Sequence, residues 1–156
     1  MSTKAGQVHL VSVRHFTVPA GTALHATILT TEWDNQLCID PDTNYSVDEL
    51  RAIATSSVDA FTDIEVQVDG IPVEDVAAYR TVTPEFYATT AEQFCEEPAG
   101  TYGPMVADGY ALLLAPLSVG VHTIHLSGVI VTDPSAPSQN LDVDIMWYIT
   151  VVPHRK

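Results

Sequence analysis

Residues 110–131, YALLLAPLSVGVHTIHLSGVIV, decide how the chain reads. The first half is apolar at both parities, with Tyr110, Leu112 and Leu114 on one face of an extended strand and Ala111, Leu113 and Ala115 on the other. That is the composition of a strand covered on both sides. The second half is one-sided: Ile124, Leu126 and Ile130 alternate with Thr123, His125 and Ser127, so one face goes to a core and the other to solvent or a partner. Between them lie residues 116–120, opened by Pro116 and closed by Gly120, a loop chemistry that predicts a hairpin at the centre of a β-sandwich.

The same alternation recurs outward from this stretch. In 141–152 it predicts Leu141, Val143, Ile145, Trp147, Ile149 and Val151 inward, and Asp142, Asp144, Met146, Tyr148 and Thr150 outward. Residues 8–18 alternate with neither face cleanly polar, and 23–33 form a second strand after the Pro19–Gly21 turn. Asp69-Gly70 suits the positive φ angles of a two-residue hairpin between 64–68 and 71–73, while Pro72 keeps the latter short or at an edge. Residues 80–83 and 85–89 read as a strand interrupted by Pro84. One helix stands out. Ser46 and Glu49 have capping-box spacing, followed by Val47, Leu50, Ala54, Val58 and Phe61 at helical intervals. Residues 95–109, with Pro98, Gly100, Gly103, Pro104 and Gly109, read as a long loop of the kind that is often functional. The expected fold is all-β: a single domain over 1–156, a two-sheet antiparallel sandwich of immunoglobulin-like or related topology with one short helix. A closed β-barrel is the alternative.

DIEVQVDGIPV and ADGYALLLAPLSVGVHTIHLSGVI resemble extracytoplasmic bacterial sandwich domains, in which a VDG-x-PV hairpin precedes a DGY…L-x-PL-x-x-G-x-HTI hairpin. The resemblance spans 63–131. It implies a fold and a compartment, and it carries no catalytic residue with it.

The 156 residues hold 20 Asp+Glu against 6 Lys+Arg, a formal charge of −14, which repels phosphate backbones and excludes nucleic acid as a partner. Charged residues make up 17% and apolar ones 46%, which separates the chain from disordered acidic tails. No apolar run reaches the length of about 18 residues that membrane insertion needs, and the first residues lack the apolar core of a signal peptide. With only Lys4 and Lys156 as lysines, the composition fits a secreted or extracytoplasmic protein whose signal was removed earlier. Cys38 and Cys95 are too few for a zinc ribbon, leaving one disulfide or two thiols. Their loop-like surroundings favour the bridge, worth up to roughly 4 kcal/mol by chain entropy.

For chemistry, Asp40, Asp42, Asn44 and Asp48 place oxygen side chains at alternating positions before the helix, like the first half of an EF-hand loop for Ca²⁺. Tyr45 stands where that loop wants glycine and Arg51 where it wants glutamate, and an acidic turn with a capping box accounts for the same residues. His122 and His125 point to opposite faces of a strand, and His9 and His15 share a face but lie ~20 Å apart at about 3.3 Å per residue. A site drawn from separate strands, such as His25 with His125, stays open. GxSxG, HExxH and P-loop signatures are missing from the sequence. The carboxylate pairs Glu96/Glu97 and Asp142/Asp144 are formal acid–base candidates. Tyr102 and Tyr110, with Trp33 and Tyr148, could stack on a sugar or an apolar ligand. The expected function is a non-catalytic module binding a protein, small molecule or glycan through 95–109 and an exposed strand face. The alternative is a small enzyme with an internal pocket. The interior separates them: a solid core favours the module, a cavity of several hundred Å³ with a few polar groups the enzyme.

Overall fold

The computed structural model describes residues 8–37, 44–95, 97–131, 135 and 140–154. Strands dominate, with one α-helix and two sheets. The chain divides into two compact units, Met1–Ile28 with Ala60–Tyr79 and Ala111–Lys156, and Leu29–Asp59 with Arg80–Tyr110. Each unit is discontinuous in sequence, so no linker composition marks the division.

The first unit contains a five-stranded sheet in the order β1-β9-β8-β3-β4, from β1 (Val8–Pro19), β3 (Phe61–Val68), β4 (Ile71–Pro72), β8 (Gly120–Ile130) and β9 (Leu141–Val152). β8 and β9 pair antiparallel from Gly120↔Val151 to Ile130↔Leu141. β3 and β4 form the expected two-residue hairpin, with φ of 53° at Asp69 and 77° at Gly70, the positive angles that Asp-Gly tolerates. Register puts Ile124, Leu126, Val143, Ile149 and Val151 on one buried face, as alternation in 124–151 requires. Trp147 is half-buried on that face, edge-on to Phe16 at 5.9 Å, and Asp144 is exposed on the other. Trp147→Ala should therefore cost about 2–3 kcal/mol, below the full core value, and Asp144→Ala under about 0.5 kcal/mol. Chemical denaturation ranking them in reverse would mean a register slip of one residue.

Three expectations about this architecture need correction. The sheet is not wholly antiparallel, because β1 runs parallel to β9 from Val8↔Leu141 to Pro19↔Val152; alternation specifies faces, not strand direction. Residues 110–131 are not a hairpin. β7 (Gly100–Leu114) belongs to the other sheet, ordered β2-β7-β5 with β6 also on β7, so 115–119 cross between sheets. Thirdly, neither sheet closes into a barrel among the described residues.

The second sheet takes β2 (Leu24–Trp33), β5 (Arg80–Val82) and β6 (Phe86–Thr90) beside β7. Residues 100–109 are therefore strand rather than loop. Two of their glycines, Gly103 and Gly109, serve close approach: a Cβ on Gly103 would lie 2.8 Å from the Phe86 carbonyl oxygen. In the second unit the helix α1 (Val47–Asp59) starts as expected. The Glu49 carboxylate accepts from the Ser46 amide at 2.8 Å, and the Glu49 amide donates to Ser46 Oγ at 3.3 Å. Leu50 and Ala54 bury against Val106, with Trp33 and Val47 packed alongside. Phe61, expected on the helix, instead begins β3.

Candidate functional site

The apolar face of the five-stranded sheet is incompletely covered at its β1 edge. A cleft of about 670 Å³ opens there, and every residue lining it belongs to the first unit. β1 supplies Leu10, Ser12, Arg14, Phe16 and Val18, which alternation places on one face of that strand. Residues 23–28 form a second wall, and Ile124, Ile145, Trp147 and Ile149 lie behind. Ala26, Ile28, Ile124 and Ile149 are buried at its base, whereas Leu10 and Phe16 keep 48% and 41% of their surface exposed. Side chains that apolar face would ordinarily bury are thus left accessible around a concavity of ligand size.

Four polar side chains interrupt this lining: Ser12, Arg14, His25 and Thr27. Arg14 lies directly across from Trp147 in the parallel pair. Of the Lys and Arg residues described, Arg51 pairs with Asp48 at 3.3 Å and Arg80 with Asp59 and Asp108. Arg14 alone among them has no carboxylate partner. The indole Nε1 of Trp147 is buried without a hydrogen-bond acceptor, a deficit that costs about 1–3 kcal/mol. Comparison with family models, curated proteins and solved structures returns no match.

The residues singled out from sequence scatter. His25 lines the cleft, whereas His125 Nε2 donates to the Asp144 carboxylate at 3.0 Å on the opposite face of the sheet. Tyr148 is exposed there, stacked on His15 at 5.0 Å. Tyr102 donates to the Pro98 carbonyl and Tyr110 sits opposite Arg80, both in the second unit. Asp40, Asp42 and Cys38 lie outside the described residues, as does Glu96. Asn44 is exposed, and Asp48 faces Arg51. Among the described residues no group of three or more His, Cys, Asp or Glu could hold a metal. No described helix is long and apolar enough to cross a membrane. Sequence reading missed the cleft: its signal was the doubly apolar pattern of 8–18, where Arg14 and Ser12 fall in the parity of Leu10 and Phe16.

Two other titratable clusters are structural in form. In the second unit, Asp34 is buried and its Oδ1 accepts from the Gln36 amide and, at 2.6 Å, from that of Leu37. Burial, and then the neighbouring Asp34 charge, pushes the Glu32 carboxyl up. In the first unit, His122 Nδ1 is 2.7 Å from Asp69 and its Nε2 is 2.9 Å from the Ser118 carbonyl oxygen. A carbonyl can only accept, so both ring nitrogens donate best as imidazolium. The bond to Asp69, then that to Ser118, raises the His122 pKa above 6.5, and the same bond lowers Asp69 below 3.8. The histidine's contribution to stability is therefore complete below pH 6.5 and lost as pH rises through its raised value. That of Asp69 is present above pH 3.8 and lost as pH falls through its lowered value. NMR titration should place His122 above 6.5 and Asp69→Asn should bring it back down; a midpoint unmoved by that substitution would rule the pair out.

Proposed function

We propose that the chain is a non-catalytic binding module, a sandwich of immunoglobulin-like or related topology acting outside the cytoplasm, whose β1-edge cleft takes a small, largely apolar ligand. The single observation supporting this is the cleft itself, of about 670 Å³, with apolar walls and a few polar groups, within the range of small-molecule sites. It replaces 95–109 as the binding element, since most of that segment is strand.

A cavity of this size was also the mark of the enzyme alternative. Binding is the better reading because the described lining includes no Asp, Glu or Cys, and no hydrogen bond links Ser12, Arg14 and His25 to form an activated nucleophile. The test uses the neutral fluorescent probe N-phenyl-1-naphthylamine. It should bind one per chain with a blue shift and be displaced by neutral apolar competitors. Ser12→Phe, which adds a ring on an edge strand, should weaken it by at least about tenfold. Saturable binding that is unchanged in this variant, or none at all, overturns the reading.

The compartment rests on cysteine chemistry. Cys95 is not a free thiol, and we propose Cys38 as its partner. Thiol titration of the unfolded, unreduced chain should find none; two reactive thiols would remove both the bridge and the argument for an oxidising environment.

A further inference from the structure

We infer that the ligand of the cleft is a monoanionic amphiphile, an apolar body carrying one carboxylate that docks on Arg14; this rests on the cleft being a binding site. The chain carries −14 overall, and each of the other described arginines is neutralised by a carboxylate of the protein itself. Arg14 is the exception. It shares its strand face with Leu10, Ser12, Phe16 and Val18, among cleft residues that include no Asp or Glu within the described set.

A guanidinium in that setting has few protein acceptors to satisfy its five donors, and a carboxylate matches its planar fork with two parallel hydrogen bonds. Apolar walls on the remaining sides suit an alkyl or aryl body rather than a sugar, whose hydroxyls would lack partners there. A single cation balances a single charge, which favours a carboxylate over a phosphate dianion. A neutral apolar ligand would leave Arg14 without function. A cationic one would meet repulsion at the mouth.

The probes are decanoate, decan-1-ol and decyltrimethylammonium, titrated into the full chain with Trp147 fluorescence and calorimetry as readouts. Decanoate should bind about tenfold tighter than decan-1-ol, the advantage of a half-exposed charge-assisted pair. Arg14→Gln should erase that difference, read as the ratio of the two affinities within the same variant, and Arg14→Lys should restore part of it. Since Arg14 is exposed on an edge strand and makes no ion pair among the described residues, unchanged circular dichroism is expected for both variants, and decan-1-ol binding confirms an intact cleft. If decanoate has no advantage, if its advantage survives Arg14→Gln, or if the ammonium binds best, the anionic ligand is wrong while the cleft stands. Failure of all three probes, with N-phenyl-1-naphthylamine also excluded, removes the cleft reading together with this one.

Discussion

Replacing Arg80 with alanine should cost about 3–5 kcal/mol of folding stability, because it strands a buried charge. The Asp108 side chain is fully inaccessible, and Arg80 meets it with Nη2 at 2.7 Å and Nε at 3.0 Å. The same guanidinium donates to Asp59 at 2.6 Å and to the Thr55 carbonyl at 3.2 Å, tying β5 to the end of α1. Burial pushes the Asp108 carboxyl up, but the hydrogen bonds and charge of Arg80 outweigh it and hold it below 3.8. Its contribution is thus present above pH 3.8 and lost as pH falls through the lowered folded value. Without Arg80, desolvation, the first of the influences on this carboxyl, is opposed only by the hydrogen bonds from Thr55 and the Gly109 backbone, so the carboxyl pKa should rise and the variant regain stability on acidification. The difference between wild type and Arg80→Ala, measured by urea denaturation, should narrow from neutral pH to about pH 4. A constant difference across that range would place the cost in packing, not charge.

Gly109→Ala should be comparably severe, about 3–5 kcal/mol, at the upper end of what overpacking causes. A Cβ on Gly109 would stand 2.4 Å from the Leu29 carbonyl oxygen and 2.6 Å from the Thr30 Cα. These are backbone atoms of β2, so no rotamer change relieves the contact and the β2–β7 pairing must yield. Gly21→Ala meets nothing within 4 Å and serves as the control; its positive φ of 86° should limit the cost to about 1–2 kcal/mol. Equal denaturant midpoints for the two variants would show that β2 and β7 do not approach this closely.

The amino-acid sequence by itself determined what depends on neighbours along the chain. Alternation in 141–152 set which side chains of β9 face the core, Asp69-Gly70 set the β3–β4 turn, and Ser46 with Glu49 set the start of α1. Each is a local steric or hydrogen-bonding constraint over a few residues. Tertiary structure decided the partners. Nothing within 8–18 says that β1 adds parallel to β9, and nothing within 110–131 says that its two strands enter different sheets. Gly103 and Gly109 read as turn formers because glycine permits turns, yet here the missing Cβ matters for what approaches from β6 and β2. The cleft belongs wholly to this second class. Its walls come from 10–18, 23–28 and 124–149, and whether an apolar strand face is buried or left open depends on how far a partner strand extends over it, a property no local pattern encodes.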